Sequence, residues 1–174
     1  MTRATVTGAS GLVGANLVRR LLDAGVEVRA ADLRRSVAID DLDIDFVEVD
    51  VRDATSLAAA FQGADVVFHL AAMISIVGDP TGDVWEVNVG GPANAANAAR
   101  SAGVTRFVHC SSVHAFDLEK CGPSLDETGP RTIGDHAPVY DRSKFAGEQG
   151  LLAAAGDELD VVIVNPTGVI GRHD

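Results

Sequence analysis

Tyr140 and Lys144 stand four residues apart at the start of a stretch with helical character. That spacing puts both on one helix face, one turn apart. Tyr140 is the only tyrosine in the chain, and Lys144 is one of two lysines. A phenol titrates near pH ~10 unperturbed. A cation beside it favours the phenolate and lowers that value, so the pair could exchange a proton with a hydroxyl or carbonyl near neutral pH. Ser111 and Ser112 end a short apolar run and could hydrogen-bond a substrate oxygen. Each feature also has a plainer reading: a surface Tyr-Lys pair, and a serine that merely terminates a strand.

A second group lies near the N-terminus. Thr5-Val6-Thr7-Gly8-Ala9-Ser10-Gly11-Leu12-Val13-Gly14 runs from a stretch with strand character into an apolar helical pattern. A strand, a glycine turn and a helix N-terminus together can accept a pyrophosphate. Gly8 would take backbone angles that a side chain forbids. Gly11 would let the backbone approach a phosphate, and Gly14 would let the helix press on the sheet. The alternative is a glycine-rich turn before an ordinary helix. Asp32 follows at about the distance where a carboxylate meets the adenosine ribose. It would repel a 2′-phosphate and so favours NAD over NADP, although Arg34 and Arg35 leave NADP open. A solvated aspartate in a turn is its plainer reading.

These residues need elements to position them. Beyond the first helix, stopped at Gly25, strand patterns cover 26–31 and 46–49. A helix starts at Asp53, an acidic N-cap, and ends at Gly63. Residues 66–70 form a continuous apolar run that suits a strand covered on both faces. Residues 71–82 look irregular. A long helix is predicted over 83–102, with Gly90-Gly91-Pro92 arguing for a kink in it. Strands follow at 107–110 and 161–164, with a helix over 139–155 between them. Residues 114–137 have no period and read as a functional or mobile loop. Alternating strands and helices predict an α/β fold: a Rossmann-type doubly wound parallel sheet in three αβα layers.

Composition limits the choices. A 174-residue chain can form one domain with a proper core, and 47% hydrophobic content is globular. A net charge of -11 argues against nucleic acid as a partner. Cys110 and Cys121 show neither metal-ligand spacing nor a disulfide framework, so no metal is expected. No apolar run is long enough to span a membrane. No signal peptide is evident, so the expected compartment is the cytoplasm.

Taken in order, the motifs carry a resemblance. Thr7-Gly8-x-x-Gly11-x-x-Gly14, Asp32, Asp50-Val51, His69-Leu70-Ala71-Ala72, Asn88-Val89-x-Gly91, Ser111-Ser112, Tyr140-x-x-Ser143-Lys144 and Asn165-Pro166 occur as in extended short-chain dehydrogenase/reductases. The chain resembles the nucleotide-binding part of an NAD-dependent epimerase/dehydratase. Val113 and the ending Val164 to Gly171 are also similar to the dihydroflavonol-reductase-like branch. The resemblance implies that Gly8, Gly11 and Gly14 frame the pyrophosphate, followed by Leu12 and Val13. Asp32 would hold the ribose, with Arg34 nearby, and Asp50 and Val51 would flank the adenine. Ala71 and Ala72 would line the cofactor channel, with Asn88 at its floor and Pro166 near the nicotinamide. Tyr140 would be the acid/base. Lys144 would bind the nicotinamide ribose and lower the Tyr140 pKa. Ser112 would be the catalytic hydroxyl, with Ser111 as the fallback.

It further implies a sugar or sugar-nucleotide substrate, and a homodimer built on helices that include residues 88–100 and 140–152. Three departures stand out. Pro92 replaces a more usual Thr, and Phe116 stands where many sugar epimerases have Tyr. The family also continues into a substrate-binding portion, whereas this chain ends at Asp174. The expectation is a single NAD(P)-binding domain lacking that portion. Rival readings are a cofactor-binding module without catalysis and an NADP-dependent ketoreductase.

Overall fold

Short apolar strands separated by helices pair in parallel, because each helix returns the chain to the same end of the sheet. The computed structural model describes residues 2–172 and shows this arrangement. The strands are β1 (Arg3–Thr7), β2 (Glu27–Asp32), β3 (Asp45–Glu48), β4 (Val66–His69), β5 (Arg106–Cys110) and β6 (Asp160–Val164). They form one sheet in the order β3-β2-β1-β4-β5-β6, with every pairing parallel. The order reverses between β1 and β4, where Thr7 is in register with both Ala31 and His69. A ligand crevice opens at such a switch point, beyond the carboxyl ends of the strands.

The helices are α1 (Leu12–Asp23), α2 (Ala54–Ala60), α3 (Asp83–Trp85), α4 (Gly91–Ser101) and α5 (Val139–Ala155). Asp53 caps α2, its side chain accepting from the Thr55 N–H. Two apolar cores result. On one face Val6, Val28 and Ala30 pack with Ala15 and Val18 of α1. On the other, Val67 and Phe107 pack with Leu57 and Phe61, Ala95 and Ala99, and Leu151. Cover of the first face is incomplete: Val162 and Val164 on β6 stay partly exposed. Among the described residues, no helix is long and apolar enough to cross a membrane.

The kink expected at Gly90-Gly91-Pro92 is replaced by a continuous helical run with a π-helical turn, Glu86–Gly90, between α3 and α4. Pro92 falls in the first turn of α4. It has no N–H to offer the Asn88 carbonyl, and a wider turn accommodates that loss. The Asn88 carbonyl instead presses on Gly147 of α5, where even a Cβ would collide with it. The strands predicted at 26–31, 46–49, 107–110 and 161–164 each shift or lengthen by one residue. The loop over 114–137 is irregular apart from a 3₁₀ turn, Val113–Ala115, and one antiparallel bridge between Phe116 and Arg131.

Candidate functional site

Residues from β1, β2, β4, β5, β6 and α5 converge on the switch-point crevice. The glycine turn divides it into two lobes. Gly8 has φ +69, and an added Cβ would lie 2.6 Å from the Ala71 nitrogen, so only glycine lets the turn pass under the β4 exit. A Cβ on Gly14 would strike the Gly8 carbonyl, which fixes how closely α1 meets β1. Gly11 is different. Its nearest protein atom to an added Cβ is the Gly8 oxygen at 3.5 Å, so protein packing alone does not demand glycine. Gly11 caps α1 without a side-chain bond, and the first turn carries no acid. The first helical bond of that turn runs from the Ala15 N–H to the Gly11 carbonyl at 2.9 Å. The N–H groups of Leu12, Val13 and Gly14 precede it and are available to an anion.

The first lobe, about 430 Å³, is lined by Gly8, Ser10, Gly11, Asp32, Arg34, Asp50, Val51, Ala71, Ala72 and Met73 among others. Asp32 accepts from the Ser10 N–H at 2.9 Å and the Leu33 N–H at 2.8 Å. It therefore organises the glycine turn while presenting a carboxylate to the lobe. Arg34 shares this lobe, but Arg35 turns away and donates to the carbonyls of Ile39 (3.1 Å) and Leu42 (2.5 Å). Asp50 is held by Arg52, whose guanidinium keeps that carboxyl below its ordinary range. Arg52 also reaches Asp83 at 2.9 Å. Sequence reasoning missed Arg52 and Ser10; neither residue type is a recognisable signal in isolation.

The second lobe, about 370 Å³, shares Gly8, Gly11, Leu70 and Ala72 with the first. Leu12, Val13, Gly14, Ser111, Ser112, Tyr140, Lys144 and Pro166 are among its other lining residues. So one cleft holds the expected site residues at its two ends. Asn88 is the exception: it lines neither lobe. It is buried in the π-turn, where its amide accepts from the Met73 N–H and donates to the Met73 carbonyl, both at 2.8 Å, and donates to Ser143 Oγ at 3.0 Å. It braces the cleft wall from behind and does not form the floor.

Lys144 is buried and donates to the Cys110 carbonyl at 3.1 Å. Burial pushes its pKa down, opposed by Cys110 and Glu148. Tyr140 also departs from expectation. Burial raises its pKa, the neighbouring Ser112 hydroxyl lowers it, and Cys110 and Asp141 raise it further. The lowering expected from Lys144 is therefore not what this structure shows, because the ammonium is directed to the end of β5. Ser112 Oγ also accepts from the His114 N–H at 3.2 Å. Among the described residues, buried Ser111 Oγ has no hydrogen-bond partner. Free helix-leading N–H groups, an unexplained Gly11 and an unsatisfied Ser111 all fit a dinucleotide laid along the cleft. Among the described residues, no group of three or more His, Cys, Asp or Glu could hold a metal ion.

Two buried histidines were given no role from the sequence, although His69 opens the His69-Leu70-Ala71-Ala72 motif. His69 on β4 and His109 on β5 stack with centroids 5.5 Å apart, and His69 Nδ1 lies 2.9 Å from Thr7 Oγ1. Burial and then the Lys144 charge push His69 down to about 3.

Residues 4–174 match the model of the NAD-dependent epimerase/dehydratase family. A sterol demethylase protein B from Methylococcus capsulatus is 38% identical over 97% of this chain and 52% of its own. A UDP-glucose 4-epimerase from Mycolicibacterium smegmatis is 43% identical over 99% of this chain and 58% of its own. The crystal structure of a short-chain dehydrogenase/reductase superfamily protein from Agrobacterium tumefaciens with bound NAD superposes with a TM-score of 0.80. It is 30% identical, over 94% of this chain and 48% of its own. The chain spans about half the length of these relatives.

Proposed function

The chain belongs to the NAD-dependent epimerase/dehydratase family, and on that premise we propose that it binds NAD along the cleft and oxidises a hydroxyl-bearing carbon at the Ser112–Tyr140–Lys144 end. The observation that carries this reading is that Tyr140, Lys144 and Ser112 meet in the same lobe as the N-terminus of α1. In this reading Gly8, Gly11 and the N–H groups of residues 12–14 hold the pyrophosphate. Asp32 binds the adenosine ribose, and Asp50 and Val51 flank the adenine. Ala71, Ala72 and Pro166 line the route to the nicotinamide. When bound, the nicotinamide supplies a two-electron acceptor.

The protein's own residues handle the proton. Ser112 donates to the substrate oxygen, and Tyr140 removes the hydroxyl proton. Burial alone leaves the phenol too basic to be ionised at neutral pH. An ammonium has three donors and Cys110 takes one. The remaining two let Lys144 bind the nicotinamide ribose and draw the Tyr140 proton off. A sugar or sugar nucleotide is the leading substrate class, supported by the epimerase relative. A sterol-type alcohol is the second reading, supported by the sterol demethylase relative. A homodimer through α4 and α5 is also proposed. Leu152 of α5, with Trp85 of the neighbouring α3, gives half-exposed apolar surface, and a monomeric mass in solution would count against the dimer.

The test is NAD reduction with a panel of sugar nucleotides, uronic acids and hydroxysteroids, followed by absorbance of the reduced nicotinamide. Tyr140→Phe should abolish turnover and leave NAD affinity, measured by calorimetry, nearly intact. Retained turnover would sink the assignment. NAD binding with no oxidation of any alcohol would favour a cofactor module without catalysis.

A further inference from the structure

Along α5 a third polar side chain shares the face of Tyr140 and Lys144. Glu148 follows Lys144 by one turn, as Lys144 follows Tyr140, and it is 3% exposed. A carboxylate at that depth needs partners, and they come from two remote segments. One oxygen accepts from Asn165 Nδ2 at 2.6 Å, and the other from Arg131 Nη1 at 3.2 Å. The same Asn165 nitrogen donates to the Ser112 carbonyl at 3.0 Å. Arg131 forms the lone bridge with Phe116, and its guanidinium carbon lies 3.8 Å from the centre of that ring. Thr132 beside it donates its N–H to the Ala115 carbonyl and its hydroxyl to the His114 carbonyl, both at 3.1 Å. Both routes from Glu148 therefore end on residues 112–116, the segment that carries Ser112.

We propose that Glu148 is a positioning residue for the Ser112 hydroxyl, fixing the backbone of 112–116 through Asn165 and Arg131 so that the hydroxyl keeps its place in the lobe it shares with Tyr140. This rests on the function proposed above, in which Ser112 and Tyr140 act on one substrate oxygen. A buried ion pair of purely structural use would stabilise the fold without touching the phenol.

The chain's single tyrosine makes the test direct. Tyrosinate absorbance against pH reads Tyr140 alone, without cofactor or turnover. The other groups around the phenol are Cys110, Asp141, Lys144 in the same lobe, and His114, whose ring lies 5.9 Å away and whose Nδ1 lies 3.2 Å from Asp141. All of them are kept in every variant. Ser112→Ala should raise the midpoint by about 1–2 pH units, the worth of one hydrogen bond to a charged phenolate. Glu148→Leu should shift it in the same direction. Loss of a negative charge acting only through space would shift it down, so the sign separates the two roles. In the Ser112→Ala background, Glu148→Leu should add almost nothing. Asn165→Leu cuts the direct link, keeps the Glu148–Arg131 pair, and should reproduce the upward shift if Glu148→Leu fails to fold. Circular dichroism melts identify the folded variants. A zero or downward shift in the folded variants overturns the positioning role, as does a full upward shift that persists without the Ser112 hydroxyl. Silence in Ser112→Ala itself overturns the positioning role, since the hydroxyl then does not act on the phenol, while the proposed function is judged separately by turnover.

Discussion

Acid should unfold this protein partly through His69. Its ring is fully buried between strands, stacked on His109 and paired with the Thr7 hydroxyl, and Nε2 has no partner among the described residues. Its folded pKa is about 3, against 6.5 for the free side chain. The depressed value fixes the sign. The unfolded chain binds the proton first, so stability is complete above pH ~6.5 and falls as the pH drops toward ~3. Between pH 7 and 4.5, that gap removes about 2.5 kcal/mol at 1.36 kcal/mol per unit. His109 shifts in the same direction, with burial again the leading cause. The assay is a pair of urea melts at each pH, for the native protein and for His69→Gln. Carboxylates titrate in both proteins, so the difference in acid loss isolates His69. The native protein should lose about 2 kcal/mol more than the variant. Equal losses, or a His69 imidazole resonance that titrates near pH ~6.5, would refute the reasoning.

Two further outcomes follow from the cleft. Gly14→Ala drives a Cβ into the Gly8 carbonyl and to 2.8 Å from the Ala9 Cα. It should cost about 1–3 kcal/mol in urea melts, as overpacking does, and weaken NAD binding measured by calorimetry. Asp32→Asn removes the charge that would oppose a 2′-phosphate and leaves Arg34 in the same lobe. The ratio of NADP to NAD affinity should rise about 10-fold. Taking the ratio cancels any common loss from the disturbed Ser10 and Leu33 bonds, and an unchanged ratio would clear Asp32 of any part in cofactor choice.

The glycine turn and its strand-turn-helix setting were legible in the sequence because they obey local rules. Gly8 needs a positive φ, Gly25 ends α1, and Asp53 caps α2. The conjunction of the turn with Asp32, Ser112, Tyr140 and Lys144 was legible too, since parallel topology brings strand ends to one edge. The π-turn was not, because its cause is shared: Pro92 withdraws a donor, and Gly147, 55 residues beyond Pro92 and on another helix, receives the stranded carbonyl. Asn88 was recognised as part of a motif, yet its role as a brace depends on where Met73 passes. The direction of the Tyr140 shift was misjudged because its leading cause is burial of the phenol, which only the folded chain reveals. The Glu148 network joins positions 112, 131, 148 and 165, and only the folded loop brings them together.

The most direct measurement is a crystal structure of the chain grown with saturating NAD. The adenosine is expected in the lobe of Asp32 and Asp50, and the pyrophosphate at the leading N–H groups of α1. The nicotinamide end should lie beside Ser112, Tyr140 and Lys144. A cofactor seated in the reverse sense, or a cleft left empty at saturating NAD, would contradict the proposed function.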